Sequence, residues 1–155
     1  MKFLCVMLLV IASCSAPANE PGPECHLTVS WDRVSPVGSG PFDVQHHSSA
    51  SLAFSVTNAV ETCDSLPLKI YWFVDFDPAS DALPAASGPD YLLTGCHPKL
   101  AGAYPKTVII EALATQGELS IDPQSPDPRV TQAGEPVQHL AWTVVVSDHP
   151  DTDCD

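Results

Sequence analysis

Residues 68–77 read LKIYWFVDFD, and this stretch decides the fold class of the chain. Apolar side chains alternate along it, and one face takes Leu68, Ile70, Trp72, Val74 and Phe76. Alternation with a period of two is typical of a half-buried β-strand, because successive side chains of a strand point to opposite faces. The stretch is therefore predicted to be a strand with an inward tryptophan.

Four further stretches alternate in the same way, and the chain's 16 prolines leave all of them uninterrupted. Proline cannot donate to a sheet ladder, so its absence marks residues 25–35, 50–60, 106–115 and 137–147 as strand candidates. Shorter strands are expected at 91–94 and 118–121. The inward residues expected in the four stretches are Leu27, Val29, Trp31, Leu52, Phe54, Val56, Val108, Ile110, Ala112, Leu140, Trp142, Val144 and Val146.

Six or seven antiparallel strands with proline-rich turns predict an all-β fold, an antiparallel two-sheet β-sandwich. The third strand, with its inward Trp72, resembles strand C of immunoglobulin-like and fibronectin type III domains. The resemblance covers the strand pattern only and implies an Ig-like sandwich. The cysteines depart from the immunoglobulin pattern, since Cys63 lies in an expected turn rather than inside a strand.

The N-terminus has the pattern of a signal peptide: a lysine at position 2, an apolar run over residues 3–12, and small residues after it. Ten apolar residues are too few to cross a bilayer, which takes roughly 20. The order IASC at residues 11–14 resembles the lipobox of bacterial lipoproteins. An ordinary signal peptide cut after Ala16 is the alternative, but Pro17 would then follow the cleaved bond.

The lipobox resemblance implies cleavage before Cys14, acylation of Cys14 and anchoring of the protein in a membrane by its lipid. Ser15 after the cysteine implies the outer membrane of the cell envelope. The expected organisation is a removed signal peptide (1–13), a lipidated tether (14–24), a β-sandwich domain (25–149) and an acidic tail that carries a disulfide cysteine (150–155).

The formal net charge of -13 restricts the partners of this chain. So acidic a chain is repelled by nucleic acid, and it has no basic patch to offset the repulsion. Nucleic-acid binding is therefore not expected. The expected partners are the membrane, through the lipid, and an unidentified envelope protein or glycan.

Four cysteines remain for the folded part, and in an oxidising compartment they indicate disulfides. An antiparallel pairing of the first two predicted strands would bring Cys25 close to Cys63. Cys96 would then pair with Cys154. Four cysteines allow three connectivities, so the sequence alone leaves the others open.

Two groups of residues are candidates for binding. Asp75, Asp77 and Asp81 follow the third strand and carry the carboxylates of a calcium site, although an ordinary solvated turn explains them as well. Tyr71 and Phe73 lie on the outward face of that strand. They are either covered by another segment, with 81–100 the first choice, or exposed as a partner-binding patch.

No catalytic motif occurs in the sequence. His46 and His47 precede two serines, but adjacent strand residues point to opposite faces, and no nucleophile elbow, P-loop or HExxH motif is present. The sequence therefore predicts a non-enzymatic binding or structural module. The alternative is a calcium-binding or small hydrolytic domain that uses the aspartates at 75, 77 and 81.

Overall fold

The computed structural model describes residues 26–62, 65–122, 124, 129–131, 135–151 and 153–154. The lipidation candidate Cys14 and the predicted Cys25–Cys63 disulfide lie outside the described residues. Within the described part, no helix has the length and apolar character needed to cross a membrane.

The fold is all-β, as the alternating pattern predicted. Two short 3₁₀ helices, Trp31–Arg33 and Pro98–Leu100, interrupt the strands. The strands are β1 (Thr28–Val29), β2 (Phe42–Gln45), β3 (Ser51–Ser55), β4 (Val60–Glu61), β5 (Lys69–Val74), β6 (Ala86–Ser87), β7 (Asp90–Thr94), β8 (Lys106–Thr115), β9 (Leu119–Ile121), β10 (Arg129–Thr131) and β11 (Val137–Ser147).

The largest sheet has five strands in the order β2-β11-β8-β5-β6. Its strands are antiparallel except for β2, which runs parallel to β11. Three two-stranded sheets, β3-β7, β1-β4 and β9-β10, complete the described fold, and each pairs its strands antiparallel.

The core lies on one face of the five-stranded sheet. Trp72 of β5 and Trp142 of β11 are fully buried there, with ring centroids 5.7 Å apart. Phe54 of β3 packs edge-on against Trp142 at 5.3 Å, and Tyr91 of β7 stacks on Trp72 at 5.6 Å. The β3-β7 pair is therefore joined to the large sheet by a cluster of four aromatic rings, and contacts of this kind add to the area that the rings bury.

The two longest strands were predicted from the pattern with their bounds. β8 covers 106–115 and β11 covers 137–147, and all seven residues expected to point inward from them are fully buried. The predicted strand at 50–60 is divided into β3 and β4 by a turn, in which Asn58 has a φ of 58°. Phe54 and Val56 are buried as predicted, and Leu52 is half-buried against the core.

The prediction for the first strand was wrong beyond Val29. The chain leaves β1 and turns into the 3₁₀ helix, where the Arg33 amide donates to the Ser30 carbonyl at 3.0 Å. The turn breaks the alternation, so Val34 is buried and Trp31 points outward with 45% of its surface exposed.

The prediction that Phe76 points inward was also wrong. Asp75, just after β5, has a φ of 45°, which reverses the alternation of side chains at that residue. The Phe76 ring consequently packs edge-on against Phe73, with the centroids 5.0 Å apart, on the face opposite Trp72.

Candidate functional site

A surface groove with a volume of about 610 Å³ lies beside the first half of β5. Its lining comes from the turn between β3 and β4, the start of β5, the connection from β6 to β7, and the residue before β9. The lining residues are Val56, Thr57, Asn58, Val60, Leu68, Lys69, Ile70, Tyr71, Ser87, Gly88, Pro89 and Glu118. We refer to it as the β5 groove.

The interior of the β5 groove is apolar because it reaches core side chains. Val56, Val60 and Ile70 are buried members of the hydrophobic core, and Leu68 packs against that core. The groove is held open on one side by the 88–89 turn, since the Gly88 amide donates to the Ile70 carbonyl at 3.0 Å and the Gly88 carbonyl accepts from the Trp72 indole at 2.8 Å. An apolar concavity with fixed walls is a typical binding surface.

A charged pair forms part of the rim of the groove. The Lys69 ammonium is hydrogen-bonded to one carboxylate oxygen of Glu118, and the Tyr71 hydroxyl donates to the other at 3.3 Å. The hydrogen bond to Glu118 raises the pKa of Lys69, and the same bond holds the pKa of Glu118 below its usual value. Both side chains therefore remain ionised around neutral pH, and the rim presents one charge of each sign.

The predicted patch of Tyr71 and Phe73 is divided between two environments. Tyr71 is half-buried and lines the β5 groove, whereas Phe73 is only 2% exposed. The Arg129 guanidinium of β10 lies 5.7 Å from the Phe73 ring and 4.7 Å from the Phe76 ring, and it forms an ion pair with Glu111 at 2.6 Å. The cover over Phe73 thus includes β10, which the sequence interpretation did not consider.

In the acidic turn after β5, the carboxylates of Asp77 and Asp81 accept hydrogen bonds from within the protein. Asp77 accepts from the Ala79 amide at 2.9 Å and from the Ser80 hydroxyl at 3.1 Å. Asp81 accepts from the Asp77 amide at 2.8 Å and pairs with the Lys99 ammonium at 3.0 Å. A calcium ion at this turn would have to compete with that ammonium.

The electrostatics of Asp81 follow from these contacts. Partial burial opposes its ionisation, but the hydrogen bonds from the Asp77 backbone and from Lys99 outweigh that effect, so the pKa of Asp81 lies below its usual value. Among the described residues, the one group of three potential metal ligands within 4.8 Å of each other is Cys96, Asp153 and Cys154. Its two cysteines are joined in a disulfide, and the aspartates at 75, 77 and 81 do not form such a group.

A second disulfide prediction falls within the described residues. Cys96, in the turn after β7, is bonded to Cys154 of the C-terminal tail. The bond places Asp153 against the 47–49 turn, where its carboxylate accepts from the Ser48 amide at 2.9 Å and from the Ser48 hydroxyl at 2.5 Å. These hydrogen bonds lower the pKa of Asp153.

The two adjacent histidines follow the end of β2 and make different contacts. His46 stacks on Tyr104 at 5.5 Å, and His47 contacts His149 at 4.3 Å. His47 also lies between Ser49, 2.8 Å from Nδ1, and Asp153, 3.6 Å from Nε2.

In the described part of the chain, the backbone amides around this serine, histidine and aspartate set already have partners within the protein. The Ser49 amide also donates to His47 Nδ1, at 3.1 Å, and so competes with the hydroxyl for the same nitrogen. The Ser48 amide is bonded to Asp153 and the Ala50 amide to the His47 carbonyl. The amides of this turn are thus used within the protein, whereas an oxyanion hole needs donors aimed at the substrate.

Sequence reasoning missed Lys69 and Glu118 as rim residues of the β5 groove. The only signal was a lone lysine within an apolar strand, and nothing in the pattern pointed to its partner 49 residues later. Comparison of the chain with protein-family models, with curated proteins and with solved structures finds no match.

Proposed function

We propose that this chain is a lipid-anchored, non-enzymatic binding module of the bacterial cell envelope, and that the β5 groove holds its ligand. The observation that carries the proposal is the combination of an apolar groove interior with a charged pair at the rim. Apolar contact provides affinity in such a site, and a few placed polar groups fix the orientation of the ligand. A segment of an envelope protein or a glycan is the ligand class we propose.

The architecture we propose is a two-sheet, Ig-like β-sandwich in which β3 and β7 belong to the second layer. The four-ring cluster supports this arrangement, because Phe54 and Tyr91 approach the large sheet from the side that holds Trp72 and Trp142. The β1–β4 pair contacts the same core, because Val60 of β4 is buried in it and Val29 of β1 packs against it. Two packed layers around one core are the usual solution for strands that are apolar on one face.

The anchor is tested separately from the groove. In bacteria grown with labelled palmitate, the wild-type chain is expected to carry label and to fractionate with the outer membrane. The Cys14→Ser variant is expected to lose both properties. A Cys14→Ser chain that keeps the label, or a wild-type chain that never acquires it, would contradict the anchor.

Site-specific photocrosslinking tests the groove. A photoreactive phenylalanine analogue at Tyr71 is expected to crosslink a defined envelope component in intact cells, and Glu118→Lys is expected to abolish that crosslink by placing two cations at the rim. Asp43→Lys, a matched charge reversal at an exposed residue of β2, is expected to leave it unchanged. A Tyr71 crosslink that survives Glu118→Lys, or one equally strong from exposed Leu83, would show that the groove is not the binding surface.

A further inference from the structure

Two apolar side chains are exposed next to each other in a surface cleft outside the β5 groove. Trp31 is 45% exposed and Val37 is 69% exposed. Together with Asp32, Gly38 and Ser39 they line a shallow cleft of about 500 Å³. We call this surface the Trp31–Val37 patch.

The patch is held rigidly by the core beneath it. The Trp142 indole donates to the Pro36 carbonyl at 3.0 Å, and the Thr143 amide donates to the Ser39 carbonyl at 2.7 Å. Gly40 comes so close to the Thr143 carbonyl that a Cβ atom would not fit there. Strand β11 therefore fixes the 36–40 loop, and Val37 projects from it into solvent.

We propose that the Trp31–Val37 patch rests on the surface of the membrane that holds the acyl chains, and that it prefers zwitterionic headgroups. This inference rests on the lipid anchor of the proposed function. Only the 11 residues 15–25 separate the acylated cysteine from His26, the first described residue. A fully extended chain of that length spans about 40 Å, so the anchor keeps the start of the domain within that distance of the bilayer.

The chemistry of the patch matches a lipid interface. Tryptophan is enriched at membrane–water boundaries because its ring is apolar and its N–H is polar, and Val37 adds a second apolar contact. The net charge of -13 and Asp32 within the patch oppose contact with anionic headgroups. Arg33, the cation adjacent in sequence, is paired with Glu61 at 3.1 Å.

The fluorescence of Trp31 tests the inference directly. Trp72 and Trp142 are fully buried, so the difference between the wild-type chain and Trp31→Phe isolates the emission of Trp31. The acylated, processed protein is placed in phosphatidylcholine vesicles with plain or brominated acyl chains, since bromine quenches an indole that it touches. We expect a loss of Trp31 emission in the brominated vesicles and a blue shift relative to the Cys14→Ser chain in buffer.

Two variants and one change of lipid sharpen the test. Val37→Asp is expected to reduce the quenching, whereas Leu83→Asp, a matched change at an exposed residue outside the patch, is expected to leave it intact. Replacing part of the phosphatidylcholine with phosphatidylglycerol at low salt is expected to weaken the quenching. Full quenching that persists in Val37→Asp would overturn the assignment to this patch.

The outcomes separate the patch from the anchor. Unquenched Trp31 on a chain whose Cys14 carries acyl groups by mass spectrometry overturns the patch proposal and leaves the anchor standing. A Cys14 without lipid overturns the anchor, and the inference that depends on it. A Trp31-directed crosslink between two copies on the vesicle, without bromine quenching, would assign the patch to self-association instead.

Discussion

Removal of the Cys96–Cys154 disulfide is expected to be one of the most destabilising changes available in this chain. The bond joins residues that are 58 positions apart, and the chain-entropy relation for closing a loop of that length gives about 4 kcal/mol. The double variant Cys96→Ala/Cys154→Ala should therefore lose about 4 kcal/mol of unfolding free energy. Such a loss is a large part of the stability of an ordinary domain, about 5–15 kcal/mol in total.

Urea unfolding followed by tryptophan emission measures this loss. The m-value should also rise in the double variant, because the unfolded chain without the crosslink exposes more surface. Asp153→Asn is the matched control: it weakens the hydrogen bonds from Ser48 while keeping the disulfide, and it should change the stability little because the carboxylate is exposed. A loss below about 1 kcal/mol in the double variant would refute the entropic reasoning.

Three further perturbations follow from the packing. Arg129→Ala should lower the free energy of unfolding in urea by about 3 kcal/mol, because it leaves the Glu111 carboxylate unpaired and poorly solvated and uncovers the two phenylalanine rings. Arg129→Lys should recover little of that loss, since an ammonium cannot stack on both rings. Full recovery in Arg129→Lys would contradict the stacking. Phe54→Ala should cost about 3–5 kcal/mol by opening a cavity against the two buried tryptophans, and an unchanged melting temperature would contradict the four-ring core. The pKa of Asp81 is lower in the folded protein than in the unfolded chain. Its ionised carboxylate therefore adds to the free energy of unfolding above about pH 4, and this stabilisation is lost as the pH falls below that value. In Asp81→Asn, the free energy of unfolding should depend less steeply on pH in this acid range. A pH dependence identical to that of the wild type would contradict the ion pair of Asp81 with Lys99.

The parts of the fold that sequence predicted are those in which local alternation and burial agree. β8 and β11 lie side by side in the middle of the large sheet, so each alternate residue meets the core along the whole length of the strand. Prolines outside these strands left the pattern unbroken. Period-two reasoning works well under those conditions, since one face is uniformly buried.

The errors have local backbone causes. Trp31 is the first residue of a 3₁₀ helix, and Phe76 directly follows Asp75, which has a positive φ. Neither change of backbone conformation alters the alternation of apolar residues in the sequence. The alternation therefore still predicts an inward side chain at residues that lie beyond the end of the strand. An aspartate in a positive-φ position is not unusual, but the sequence contains no signal that distinguishes it from the aspartate two residues later.

The candidate groove was beyond sequence reasoning for a different reason, which is the distance along the chain between its parts. Val56, Lys69, Pro89 and Glu118 come from four separate segments. The pairing of β5 with β6 and β8, and the hydrogen bond from the Val56 amide to the Pro89 carbonyl at 2.9 Å, bring these segments together. Phe73 depends on tertiary contacts as well. It occupies the same outward face as Tyr71, but the Arg129 guanidinium lies over its ring and the Phe76 ring packs against it. Two aromatic residues with equal sequence signals thus have opposite accessibility, and tertiary contacts from β10 decide which of them can meet a ligand. Of the two aromatic residues, Tyr71 is therefore the one that lines the proposed groove, beside the charged pair of Lys69 and Glu118.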